Sequence, residues 1–109
     1  MASCVYTVFS EPVPGQAAEY NRWYTEQHLD DVLRVPGFKA ARRYRLAMPD
    51  AQAPAGCLAI YEIETDDPAA TLAQLQARAG TAEMPISPAL DVSRVTALVY
   101  GAIEGAQRP

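Results

Sequence analysis

A chain of 109 residues, half of them hydrophobic, is long enough for one core and too short for two, so a single domain over residues 1–109 is expected. Nine Lys and Arg against 13 Asp and Glu give a formal charge of −4, which argues against nucleic acid or an anionic membrane surface as partner, since concentrated basic side chains hold both. No stretch approaches a membrane span, and the first residues lack the basic flank and length of a secretion signal; a cytoplasmic protein is the expectation.

Residues 3–9 read as a short buried strand of β-branched and aromatic character, stopped by Pro12-Val13-Pro14-Gly15. From Gln16 to Leu33 the pattern is helical, and it ends before Pro36-Gly37, where a helix cannot continue. Phe38 to Leu46 alternates as a second strand. Residues 48–56, with two prolines and a glycine, form a long loop into a third strand from Cys57 to Glu64. Asp66-Asp67-Pro68 supplies a cap and a first-turn proline for a second helix that runs to Ala79 and stops at Gly80. Residues 81–91 carry two prolines and read as a loop, Arg94 to Ile103 as a fourth strand, and residues 104–109 as a tail.

The order βαββαβ is that of the α+β ferredoxin-like arrangement, a four-stranded antiparallel sheet with strands in the order 4-1-3-2. Helices cover one face of such a sheet. Here both faces are apolar, because Val5, Phe9, Leu58 and Ile60 alternate with Tyr6, Val8, Ala59 and Tyr61. A homodimer joined through the uncovered faces is therefore expected. Cys4 and Cys57 each begin a strand, and antiparallel pairing puts those starts at opposite ends of the sheet, so both are expected as reduced thiols.

The only histidine, His28, lies in Tyr20-Asn21-Arg22-Trp23-Tyr24-Thr25-Glu26-Gln27-His28-Leu29-Asp30-Asp31, with Tyr24 one helical turn before it and Asp31 one turn after. An inward histidine is ordinarily a hydrogen-bonded core residue. A phenol and a carboxylate at one-turn spacing add what proton transfer needs: a partner for the proton and a charge to fix the tautomer. Ala17, Asn21, Tyr24, His28 and Val32 share the stripe expected to face the sheet, with Trp23 on nearly the opposite side. Asp31 sits near a helix C-terminus, where the dipole disfavours an anion, so His28 or an arginine is expected beside it.

On the sheet, matching the strand ends sets Tyr6 opposite Tyr61, and carrying that register onward sets Arg42 beside Tyr61 and Tyr44 beside Ala59. One face would then carry Tyr6, Arg42, Tyr44 and Tyr61, the other Arg43, Arg45, Glu62 and Glu64; a slip by one residue exchanges them. Tyr6, Asn21, Arg42 and Tyr61 are the candidate substrate-binding residues, and His28, Tyr24 and Asp31 the candidate catalytic ones. One histidine and two separated thiols cannot assemble a tetrahedral metal site. There is no phosphate-binding glycine loop, no nucleophile elbow and no lysine besides Lys39, so neither a metal nor an organic cofactor is expected.

The segment Asn21-Arg22-Trp23-Tyr24-Thr25-Glu26-Gln27-His28-Leu29-Asp30-Asp31, continuing through Pro36-Gly37-Phe38, together with Ala41-Arg42-Arg43-Tyr44-Arg45-Leu46 and Leu58-Ala59-Ile60-Tyr61-Glu62, resembles EthD-like proteins of the dimeric α+β barrel superfamily. The resemblance covers nearly the whole chain and implies that fold, a homodimer, and a pocket between helices and sheet lined by Tyr, His and Trp. It implies no single reaction, because similar shapes serve polyketide cyclases, cofactor-free monooxygenases, isomerases, dehydratases and haem-degrading enzymes. Relatives often carry further histidines, which this chain lacks.

These readings converge on a cofactor-independent enzyme of cyclase, isomerase or lyase type acting on a small hydrophobic carbonyl or phenolic compound. His28 is its base, Asp31 orients the base, and Tyr24 and Arg42 donate to the developing enolate. The alternatives are a cofactor-free monooxygenase and a non-catalytic accessory protein that binds a small aromatic ligand.

Overall fold

The computed structural model describes residues 2–103; the expected tail at 104–109 lies outside them. Four strands, β1 (Ala2–Ser10), β2 (Phe38–Arg45), β3 (Cys57–Thr65) and β4 (Thr96–Gly101), form one antiparallel sheet in the order β2-β3-β1-β4. This is the expected α+β ferredoxin-like topology. Helix α1 (Ala17–Trp23), a π-helical turn (Tyr24–His28) and α2 (Leu29–Leu33) make one continuous rod, and α3 (Pro68–Arg78) makes the second. Asp67 caps α3 as its sequence predicts, its carboxylate accepting from the Ala70 amide at 3.1 Å.

The core lies between the rods and one sheet face, where Tyr20, Trp23, Tyr24, Val32 and Val35 meet Cys4, Phe38, Ala59, Tyr61 and Ile63. Tyr20 has no exposed surface, and its hydroxyl is satisfied by Ser10 Oγ at 2.6 Å, which offsets the cost of burying both groups. The turn from α2 into β2 needs a glycine at 37: φ is +100°, and a Cβ there would stand 3.3 Å from the Glu64 carbonyl oxygen and 3.4 Å from Thr71 Cγ2.

Three local features differ from the sequence reading. The fourth strand starts at Thr96 rather than Arg94, because Asp91 accepts from the Ser93 amide and hydroxyl and folds Val92–Arg94 into a 3₁₀ turn. Trp23 is inside rather than on the far side of the rod, as described below.

The register of β2 is the third. β1 and β3 pair as expected, with Tyr6 opposite Tyr61, but the β2–β3 ladder is interrupted between Phe38 and Ala40, and beyond it Ala41 faces Tyr61, Arg42 faces Ile60 and Arg43 faces Ala59. The extra residue inverts the alternation. Phe38 points to the helices before the bulge, and Ala41 and Arg43 do so after it. Arg42 and Tyr44 therefore lie on the open sheet face, and Arg43 replaces Arg42 on the inner one.

Cys57 pairs across the sheet with Ser10 and Cys4 with Ile63, six residues apart along β1 or about 20 Å at roughly 3.3 Å per residue, far beyond disulfide reach. Both thiols are free.

Candidate active site

Aromatic residues run through the rod at positions 20, 23, 24 and 28, and a regular α-helix would hold Trp23 and His28 about 140° apart around its axis, too far to stack. In the π turn the backbone ladder steps i→i+5, so residues five apart come onto one face. The Trp23 indole consequently stacks on the His28 imidazole, with centroids 4.5 Å apart and planes inclined by 26°. Tyr24 meets the same imidazole edge to face at 5.1 Å. Trp23 is 3% exposed, and its Nε1–H donates to the Pro85 carbonyl at 3.1 Å, which fixes the ring.

These rings close one side of a cavity of about 210 Å³. Tyr6, Val8 and Ser10 of β1 and Tyr61 of β3 form its floor; Trp23, Tyr24, His28 and Val32 form one wall; Leu75, Gln76 and Ala79 form the other. Met84, Ile86, Leu90 and Val95 from the segment between α3 and β4 cover it. That segment is tied down at Gly80 N–Met84 O (2.9 Å), at Trp23–Pro85 and at Val13 N–Ala89 O (2.7 Å). An apolar cavity of ~150 Å³ holds benzene, so this one has room for a one- or two-ring molecule.

Few polar atoms reach such a cavity, and two among its lining residues lack partners: His28 Nδ1 and the Tyr61 hydroxyl are buried without a hydrogen bond. Burial lowers the imidazole from 6.5 to about 4, and the Asp31 charge acts against that fall without reversing it. At neutral pH His28 is therefore uncharged, with a lone pair to accept a proton. Burial, with the neighbouring Tyr24 phenol adding to it, pushes Tyr61 far above its usual range, so its hydroxyl is a donor and not a base. Burial raises Tyr24 as well, against a lowering by the Tyr61 hydroxyl and, after it, by Arg43.

Of the sequence-predicted site residues, His28, Tyr24, Tyr6 and Tyr61 line the cavity together. Three do not join them. Asp31 is only 6% exposed, but Oδ1 accepts from Arg34 at 2.8 Å and Oδ2 has no partner, so it makes no tautomer-fixing bond to His28. An arginine, one of the two partners expected for a carboxylate at the end of this helix, takes that place. Asn21 borders a separate groove, its side-chain nitrogen donating to Ala17 O and its Oδ1 accepting from Arg43. Arg42 is on the opposite sheet face. Sequence reasoning missed Trp23, Ser10 and Arg43; the dense aromatic spacing of the rod was the one available signal for Trp23.

No family model matches this sequence, and no curated protein does. Solved structures do match in shape. The crystal structure of "a putative monooxygenase" from Shewanella loihica PV-4 superposes with a TM-score of 0.58 at 17% identity, covering 96% of this chain and 99% of that one. An EthD-family protein from Bacillus halodurans C-125 gives 0.52 at 13% identity over 94% and 100%. HapK from Hahella chejuensis gives 0.52 at 16% identity over 100% and 99%. The chain shares the α+β ferredoxin-like fold of these structures. At these identities the likeness concerns architecture alone, and the chemistry has to come from the cavity.

Proposed function

We propose that the protein is a cofactor-independent enzyme that moves a proton on a small, uncharged carbonyl or phenolic compound, as in cyclisation, isomerisation or elimination. The observation that carries this reading is the pair of buried, unpartnered polar atoms, His28 Nδ1 and Tyr61 Oη, among the residues lining one apolar cavity. Native interiors rarely leave such atoms unpaired, and a ligand carrying an acidic C–H or O–H would satisfy both. The imidazole takes the proton, and the oxyanion that remains accepts from the tyrosine hydroxyls.

Transfer from a neutral ligand to a neutral imidazole creates an ion pair in the cavity. Asp31, whose charge favours the imidazolium, reduces the cost of that step. With a conjugate acid near 4 the base is weak, which favours acidic substrates such as phenols and 1,3-dicarbonyl compounds over simple ketones.

We further propose that it works as a homodimer. Val5, Phe9, Leu58 and Ile60 on the helix-free face continue into Leu98 and Tyr100 of β4, which are 43% and 56% exposed. A second copy would cover this patch.

A cofactor-free monooxygenase is the second reading, favoured by the name of the Shewanella neighbour and by the same first step of phenol deprotonation. The experiment compares wild type with His28→Gln on a panel of phenols and 1,3-dicarbonyls, measuring turnover, oxygen uptake and ligand affinity. A proton-transfer enzyme loses about 10²-fold or more in rate with affinity nearly kept. Full turnover in His28→Gln would leave His28 a core residue, and binding without turnover in wild type would leave a ligand-binding protein. Oxygen consumption tied to turnover would select the second reading.

A further inference from the structure

Arg43 is held more elaborately than a strand arginine on a sheet edge needs to be. The bulge in β2 turns it toward the rod, where its guanidinium donates to Asn21 Oδ1 at 2.8 Å and Thr25 Oγ1 at 3.0 Å. Its Cζ stands 4.6 Å from the centroid of the Tyr24 ring and 5.4 Å from that of Tyr20. Tyr24 lines the cavity and Arg43 does not; it borders a separate groove with Asn21, Tyr44, Arg45 and Cys57. The ring thus stands between a fixed cation and the space where a ligand would sit.

We propose that Arg43 is a positioning residue for the site. Its guanidinium, clamped by Asn21 and Thr25 and stacked on Tyr24, orients that phenol toward the cavity and strengthens it as a donor to an anion formed there. This rests on the proton-transfer reading of His28 and assigns a second element of that site. A cation over a tyrosine face draws electron density from the ring, and the hydroxyl becomes the more acidic donor. The direction agrees with the opposing influence of Arg43 on Tyr24. The other groups acting on the Tyr24 phenol are Ser10 and Tyr6 from β1, Tyr61 from β3, and Tyr20 and His28 from its own rod. Arg43 is the one permanent cation in this set.

The test needs no substrate. Fluorotyrosine is incorporated throughout, and each resonance is assigned from single Tyr→Phe variants. The ionisation midpoint of Tyr24 is then followed by fluorine NMR in wild type, Arg43→Lys, Arg43→Gln and Arg43→Met. The neutral variants are expected to raise the Tyr24 midpoint by about half a pH unit or more, the scale of a partly desolvated cation–π contact, while Arg43→Lys keeps most of the wild-type value.

A Tyr24 midpoint unchanged in Arg43→Gln and Arg43→Met, or one that Arg43→Lys fails to restore, would overturn the proposal. Loss of the fold in both neutral variants would also overturn it, by making Arg43 a tether for the rod alone. An unmoved midpoint alongside a His28-dependent rate removes Arg43 only. Full activity in His28→Gln removes the reading of the site and leaves the phenol measurement standing.

Discussion

Trp23 and His28 lie five residues apart yet stack at 4.5 Å, because the rod between them winds as a π turn. The indole covers one face of the imidazole and is itself held by Pro85. The solvent exclusion that keeps His28 uncharged therefore draws on a ring whose own N–H is committed to the Pro85 carbonyl.

Replacing Trp23 by Leu should let water reach the ring and move the His28 titration upward from about 4 toward its ordinary 6.5. NMR titration of the single histidine reads this directly. Truncation of a buried tryptophan should also cost about 3 kcal/mol in stability, measured by urea unfolding. An unchanged midpoint would mean that the helix and strand residues around the ring provide the desolvation.

The depressed pKa has a consequence for stability. Between 6.5 and about 4 the unfolded chain binds a proton on His28 that the folded chain refuses, so stability falls as pH falls through this window and levels off below it. A depression of that size corresponds to about 3 kcal/mol. His28→Gln should flatten this part of the curve, leaving the carboxylates to dominate at lower pH. An acid slope that is the same in both proteins would place the destabilising proton elsewhere.

Tyr61 is 1% exposed, and its hydroxyl has no partner. Tyr61→Phe removes an unsatisfied polar atom while keeping the ring, so the ligand-free protein should gain stability, by about 1 kcal/mol on the scale of such groups. Activity should fall in the same variant. A loss of stability, measured as a lower denaturation midpoint, would reveal a partner for the hydroxyl in solution.

A charge placed in the open face, as in Ile60→Glu, should convert a dimer to a monomer in sedimentation equilibrium without altering the far-ultraviolet dichroism. Wild-type protein sedimenting as a monomer at micromolar concentration would contradict the proposed assembly.

The strand order, the pairing of Tyr6 with Tyr61, the cap at Asp67 and the separation of the two thiols all followed from local patterns, because each depends on alternation, turn residues or chain order. The inner arginine did not. Its choice depends on a bulge, and nothing in Phe38-Lys39-Ala40-Ala41 signals an inserted residue; the long loop to β3 supplies no tight turn to pin the register either. Trp23 was misplaced for a related reason. Projection at about 100° per residue assumes a uniform helix, and the assumption fails within the π turn. Asp31 was placed correctly at a helix end, but one-turn spacing could not decide between His28 and Arg34 as its partner.

The bulge at the start of β2 also bears on how such a site can diversify. The inner wall on this strand is chosen by parity: the same two consecutive arginines yield either Arg42 or Arg43 inside, according to whether one extra residue is accommodated upstream. Deleting Lys39 would remove the extra residue and leave Ala41 and Arg43 inward, whereas pairing the intact segment without a bulge would send Arg42 and Tyr44 inward together and turn Arg43 and Arg45 outward. Loss of the bulge from the intact strand would thus exchange the cationic support of Tyr24 for a polar wall of different reach and, in the same event, redraw the charges on the opposite face of the sheet.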